Sequence, residues 1–283
     1  MFRRVIRFLS PLAVLAAAVT LGAPGATADP GAIADPGGPP DSMAALGDSI
    51  TRAFNACGWY YECTERSWST GDDGAVQSHY LRILAVNPDI SGQAYNDAVS
   101  GAQADALVGQ ANLAVDQGVE YVTIEMGGND ACTSSEATMT SVETYRAEVD
   151  AALDVLQDGL PEARVFIASV PNVYRLWEVG RGDWWIRFVW DSFDVCQSVF
   201  ANAGSTNPAD EARRQRVRQR VVDYNTQLAE ACAAYGPNCD FDDNAVFNFR
   251  FERSHVSGWD YFHPNGEGQR RLAEISYAAG FGW

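Results

Sequence analysis

The sequence predicts an α/β protein built on a parallel sheet covered on both faces, and three observations carry that prediction. Short apolar runs recur at 43–46, 121–126 and 164–170, each too brief for a helix. Amphipathic stretches with helical spacing lie between them. Each run stops at turn residues: Gly47-Asp48-Ser49, Gly127-Gly128-Asn129-Asp130 and Pro171. Buried strands alternating with helices make βαβ units, whose crossovers cover both faces of a sheet.

The chain begins with a processing segment. Arg3, Arg4 and Arg7 precede a short apolar stretch at 9–21, and Ala26-Thr27-Ala28 offers a cleavage site, so residues 1–28 read as a secretory signal peptide. The apolar stretch is too short to span a bilayer and contains Pro11. Residues 29–42, rich in Pro, Gly and Asp, read as a flexible linker. Residues 43–283 read as a single domain, with no internal repeat and no second linker.

Within that domain, strand 43–46 leads into the Gly47-Asp48-Ser49 turn, and a loop at 55–74 carries Cys57, Cys63 and aromatics. Val76, Tyr80, Ile83 and Leu84 share a face of a helix over 76–86, which Pro88 ends. A short strand at 95–99 runs into Ser100-Gly101-Ala102, followed by a helix over 104–116 and the β-branched strand 121–126. The longest amphipathic pattern, 136–160, places Val142, Tyr145, Val149, Leu153 and Leu156 on one face and stops at Pro161. Strand 164–170 follows. Residues 172–207 break the pattern, dense in aromatics without a clean period. A helix over 208–235 carries the basic run 213–220, residues 239–247 form the last strand or strand-like loop, and Pro264 occupies the first position of the C-terminal helix.

Formal net charge is −17, and loss of residues 1–28, with three arginines and no acid, takes it to −20. That balance argues against a nucleic-acid partner. The absence of lysine excludes a Walker A loop, a pyridoxal Schiff base and Ser-Lys catalysis. Six cysteines in an exported chain imply three disulfides, and the spacings favour Cys57–Cys63, Cys132–Cys196 and Cys232–Cys239. No cluster has the spacing of a zinc site. Asp240, Asp242 and Asp243 make a weak cation motif, but loop carboxylates of this kind are mostly structural.

Serine at a strand end is a nucleophile only with a base in reach and a group that orients the base. Three histidines exist: His79, His255 and His263. His79 falls inside a helix and reads as structural; His255 has no upstream aspartate. His263 closes Asp260-Tyr261-Phe262-His263, where an aspartate three residues ahead can hold the imidazole Nδ1–H and leave Nε2 for the serine proton. Oxyanion donors are needed too. The backbone N–H of Ser49, the N–H of Gly101 and the side-chain amide of Asn129 all follow successive strands, and so lie along one sheet edge.

These four blocks, Gly47-Asp48-Ser49, Asn96 with Gly101, Gly127-Gly128-Asn129-Asp130 and Asp260-Tyr261-Phe262-His263, resemble the ordered motifs of the SGNH (GDSL) hydrolase superfamily and span most of the chain. The resemblance implies a three-layer α/β/α flavodoxin-like fold. It implies Ser49 as nucleophile, His263 as base, Asp260 as its orienter, and Ser49, Gly101 and Asn129 as the oxyanion hole, with no metal and no cofactor. The G-x-S-x-G elbow of α/β-hydrolases is absent around Ser49. Ser67-Trp68-Ser69 and Asn129-Asp130-Ala131-Cys132 are further similar to the phospholipase B-like branch, from which Ser69-Thr70-Gly71-Asp72-Asp73-Gly74 departs.

The expected function is that of a secreted, extracellular serine esterase or lipase. It would cleave acyl esters or (lyso)phospholipids through an acyl-enzyme on Ser49, as a monomer making transient contact with a lipid surface. A polysaccharide acetyl esterase is the second reading, since tryptophans also stack on sugars. A non-catalytic lipid- or glycan-binding protein is the third. The aromatic segment 172–207 either walls an acyl pocket or is a hydrophobic excursion pinned by Cys196. The basic run 213–220 either attracts anionic headgroups or is a solvated helix face.

Overall fold

The computed structural model describes residues 37–283. The expected signal peptide and the linker up to residue 36 lie outside the described residues. The remaining linker residues, 37–42, are tied down: Arg164 donates to the carbonyls of Gly37 and Gly38, and the Asn87 amide donates to those of Pro39 and Pro40.

Five strands, β1 (Met43–Gly47), β2 (Ala94–Asn96), β3 (Tyr121–Glu125), β4 (Arg164–Ile167) and β5 (Cys239–Phe241), form one wholly parallel sheet in the order β2-β1-β3-β4-β5. The helices are α1 (His79–Leu84), α2 (Leu107–Gln117), α3 (Gly128–Ala131), α4 (Val142–Gly159), α5 (Val173–Gly180), α6 (Trp184–Ser192), α7 (Gln197–Phe200), α8 (Pro208–Tyr235), α9 (Ala245–Asn248) and α10 (Gly266–Ala278). This is the flavodoxin-like order, whose direction of winding reverses between β1 and β3. Ligands of open α/β sheets bind outside the carboxyl ends of the strands at that reversal.

Strand alternation divides the core. Ala44, Leu46, Val122, Ile124, Val165 and Ile167 face the larger layer, where Tyr145 of α4 stacks on Tyr224 of α8 at 4.1 Å. Met43, Tyr121 and Phe166 face the smaller layer with Ile83 of α1 and Leu272 of α10. Because both faces are covered, β1, β3 and β4 are buried at every position.

Local chemistry moved some boundaries. The expected helix 136–160 is two pieces, a 3₁₀ turn at Glu136–Thr138 and α4. Ser141 caps α4 by accepting from the Thr144 N–H, and that requires extended backbone at Ser141. Pro264 is not in the C-terminal helix: it pairs with Val256 in an isolated antiparallel bridge, and α10 starts two residues later with Asn265 as its cap. Residues 239–247 comprise strand β5 and the single turn α9.

The aromatic segment, which shows no clean period in the sequence, contains three short helices. Trp177, Trp190 and Phe200 turn inward, with Trp190 stacked on Phe200 at 4.0 Å, and Cys196 is bridged to Cys132. The other bridges join Cys57 to Cys63 and Cys232 to Cys239. The basic run on α8 is largely consumed internally. Arg214 is buried over the Trp177 ring with Glu211 beside it, Arg216 pairs with Glu136, and Arg220 donates to the Thr140 carbonyl.

Candidate active site

The turn after β1 sets the site. Gly47 has φ +147°, and a Cβ there would collide with the Glu125 carbonyl and the Thr51 hydroxyl, so only glycine fits. Gln110 of α2, 3% exposed, clamps this residue from both sides. Its Oε1 accepts the Gly47 N–H at 2.7 Å and its Nε2 donates to the Gly47 carbonyl at 3.0 Å. The chain then turns so that the Asp48 carboxylate accepts the Ile50 N–H at 2.8 Å, and Ser49 stands at the carboxyl end of β1. Gln269 of α10 donates to the Ile50 carbonyl and accepts from the Trp68 N–H, locking the Ser67-Trp68-Ser69 block beneath the turn.

The second arm comes from the loop before α10. Ser257 N–H donates to the His263 carbonyl at 2.8 Å and Asn265 N–H to the His255 carbonyl at 3.0 Å, which closes the base of the loop. Tyr261 adopts a left-handed φ of +54°, costly for a bulky residue. That conformation accompanies a loop folded back on itself: Asp260 Oδ1 accepts the N–H groups of Phe262 and His263 at 3.0 and 3.2 Å.

The two arms meet. His263 Nε2 lies 2.8 Å from Ser49 Oγ, and His263 Nδ1 lies 2.6 Å from Asp260 Oδ2. Asn55 Nδ2 donates to the same Asp260 oxygen at 2.6 Å. Phe54 and Phe262 each set their rings 5.0 Å from the imidazole, walling it on two sides. Burial works to raise the pKa of Asp260. The hydrogen bond and charge of His263, with the two loop N–H groups, outweigh it and hold the carboxyl below the usual carboxylate range. A carboxylate so held keeps a proton on Nδ1 and leaves Nε2 to accept one from the serine.

Asn129 is the second residue of α3, which follows β3 after Met126 and Gly127. Its Nδ2 donates to the Ala102 carbonyl at 2.9 Å and to Asp48 Oδ2 at 3.2 Å. Gly101, at φ +83°, needs the conformational freedom of glycine. Its N–H and that of Ser49 donate to no protein acceptor among the described residues. Glu62 steadies the loop by accepting from the Ser100 hydroxyl at 2.7 Å and pairing with Arg52 at 2.6 Å.

Three carboxyl groups lie beneath the turn. Burial pushes Asp48 up to about 6, with the Ile50 N–H and the His263 charge opposing. Glu125, at the end of β3, is 1% exposed and neither of its oxygens has a partner among the described residues. Burial, then the nearby Asp48 and Asp242, hold its pKa well above the ordinary value. Asp242 is occupied as a turn residue, accepting from the Ser169 hydroxyl and the Asn244 and Val246 N–H groups.

The other histidines stand apart from this geometry. His79 is buried between the Tyr121 and Ser276 hydroxyls, and burial holds its pKa down to about 3. His255 lines the cleft, but its Nδ1 accepts the Glu252 N–H.

A narrow cleft of about 70 Å³ opens beside Ser49, Asn129 and His263. Its far wall is apolar, made by Val170, Pro171, Val173, Leu176, Phe251 and Phe262; Gly101 does not line it. Sequence reasoning passed over Gln110, Asn55, Gln269, Glu62 and Glu125. Two of them left a signal: Gln110 is a polar residue at an apolar position of the 104–116 pattern, and Glu125 is a carboxylate inside the buried run 121–126.

The family model described as GDSL-like Lipase/Acylhydrolase matches residues 43–275. The mouse (Mus musculus) protein named phospholipase B1, membrane-associated is 31% identical over a match spanning 48% of this chain and 12% of that protein. Its human (Homo sapiens) counterpart is 28% identical, over 50% and 12%. The matched part is thus a small fraction of these relatives. Among solved structures, an extracellular lipase from Streptomyces rimosus superposes with a TM-score of 0.50 at 18% identity, over 84% of this chain and 99% of that one, a likeness of fold.

Proposed function

The chain belongs to the GDSL-like lipase/acylhydrolase family and is a serine ester hydrolase, and from that premise we propose that it is a secreted esterase or lipase acting through an acyl-enzyme on Ser49. The observation that carries this reading is the unbroken relay from Ser49 Oγ through His263 to Asp260, 2.8 and 2.6 Å long, opening on an apolar cleft. Ser49 Oγ attacks the ester carbonyl carbon while His263 Nε2 takes its proton. The tetrahedral oxyanion is met by the N–H groups of Ser49 and Gly101 and by Asn129 Nδ2. The amide hydrogen facing Asp48, in the longer of its two bonds, is the one that turns to the oxyanion. His263 passes the proton to the leaving alkoxide, and an alcohol departs. Water, deprotonated by His263, then attacks the acyl carbon and releases the carboxylic acid with Ser49 restored.

The apolar wall favours an acyl chain longer than acetyl, from a lipid or (lyso)phospholipid. Three disulfides support an oxidising destination, and among the described residues no helix is long and apolar enough to cross a membrane. A second reading, a polysaccharide acetyl esterase, is favoured by the exposed Trp59 and Trp259, whose rings meet at 5.1 Å close to Asp260. A chain-length series of p-nitrophenyl esters tests the choice. Turnover rising from acetyl to octanoyl supports the lipolytic reading; turnover confined to acetyl replaces it with the second. Fluorophosphonate labelling abolished by Ser49→Ala supports the serine chemistry, and labelling unaffected by that change refutes it.

A further inference from the structure

α6 is apolar on both sides, which a helix on a water-exposed protein surface is not. Ile186, Val189 and Trp190 are buried, yet Trp184, Trp185 and Phe188 on the opposite side are 68, 46 and 52% exposed, with Phe193 at 74% just beyond. Trp184 and Trp185, and Trp185 and Phe188, pack ring to ring at 5.6 and 5.3 Å, forming an aromatic ridge. Around it stand Arg181 and Arg187, neither with a carboxylate partner among the described residues, and Asp183, Asp191 and Asp194. In a chain of net charge −17 this segment is close to neutral.

The ridge is rigidly coupled to the site. From α6's inner face, Trp190 Nε1 donates to the Tyr261 carbonyl at 3.1 Å, inside the Asp260–His263 loop. Through residues 181–183, α6 continues α5, whose Val173 and Leu176 form the cleft's apolar wall.

Resting on the lipolytic reading above, we infer that the outer face of α6 docks the enzyme on a zwitterionic phospholipid surface. Indole and phenyl rings enter the boundary between headgroups and acyl chains. Arg181 and Arg187 meet the phosphates, and the three aspartates face the choline groups. The excess of negative charge elsewhere on the chain selects against anionic membranes. Docking through α6 sets α5 and the cleft beside the headgroup layer.

The full chain carrying Ser49→Ala, which leaves lipid intact, is floated with phosphatidylcholine vesicles and compared with the same chain also carrying W184A, W185A and F188A. Partition should fall about a hundredfold, because each ring loses part of its burial. With Ser49 present, the triple variant should turn over monomeric p-nitrophenyl acetate at the parental rate and lose turnover on vesicles. Unchanged partition overturns the inference, as does an equal loss on the monomeric ester or a loss of binding to acetylated xylan in place of vesicles. Ser49-dependent turnover of the monomeric ester with no partition of the parent removes the docking surface and leaves the hydrolase standing. Partition without such turnover removes the hydrolase reading instead.

Discussion

Asp260→Asn separates the orientation of the base from the integrity of the loop. The introduced carbonyl can still accept the Phe262 and His263 N–H groups now held by Oδ1. The introduced NH₂ takes the place of Oδ2 and brings a donor where the native residue accepts from both Asn55 Nδ2 and His263 Nδ1. Asn55 can answer by rotating its amide, since its Oδ1 is buried without a partner and becomes the acceptor. His263 can answer only by changing tautomer: Nδ1 accepts, the proton moves to Nε2, and the imidazole points a donor at Ser49 Oγ. The fold keeps its hydrogen bonds while the base is lost. Turnover should fall about 10³–10⁴-fold, or about 4–5 kcal/mol of barrier. The thermal midpoint should move by only a few degrees. The assay is kcat on p-nitrophenyl butyrate, with the rate of fluorophosphonate labelling of Ser49 as a second readout and a melt as the control. A well-folded variant within tenfold of the parent would refute the claim that Asp260 fixes the tautomer.

Other consequences are equally open to measurement. Asn129→Ala removes one oxyanion donor and should lower kcat about 10²–10³-fold with little change in KM, measured on a soluble ester. Gln110→Ala leaves the Gly47 N–H buried and unpaired, while the Gly47 carbonyl keeps the Val99 N–H, which should cost about 1–3 kcal/mol in urea unfolding and slow turnover as the Ser49 turn loosens. Glu125→Gln tests the buried carboxyl. A folded-state pKa raised above the unfolded value means the folded chain holds a proton that the unfolded chain has lost, so this group's contribution falls as pH rises above about 4.5. The variant should match the parent at pH 4 and be the more stable at pH 8; parallel stability curves would mean Glu125 is solvated. Asp260 works in the opposite sense. Its lowered pKa contributes stability above about 4 that is lost as pH falls through the folded value, so the acid limb of the parent's curve should shrink in Asp260→Asn.

Much of the fold was open to reading because its signals are local. A strand covered on both faces reads as a near-continuous apolar run, so 43–46 and 121–126 were recognisable within a residue of β1 and β3 in spite of Thr123 and Glu125. The helix over 208–235 coincides with α8, where Pro208 and the cap Asn207 mark the start and Gly236 the end. The segment 172–207 was harder because its helices are short: α5, α6 and α7 have eight, nine and four residues, too few turns for a period to stand out among so many aromatics.

At the site, the sequence by itself determined the pieces whose geometry is set within a few residues. These are the glycine turn before Ser49 and the Asp260–His263 loop, where a three-residue separation lets a carboxylate reach back to its own histidine. Tertiary structure alone decided what pairs with them. Gln110 on Gly47, Asn55 on Asp260 and Gln269 on Ile50 bridge 63, 205 and 219 positions. No spacing rule reaches that far, and such pairs exist because a polar group taken out of water must find whichever partner the packed fold brings to it. Glu125 is the limiting case. Its place inside the run 121–126 puts it in a buried strand, and only the packed fold reveals that its carboxyl lies near Asp48 and Asp242 with no partner among the described residues.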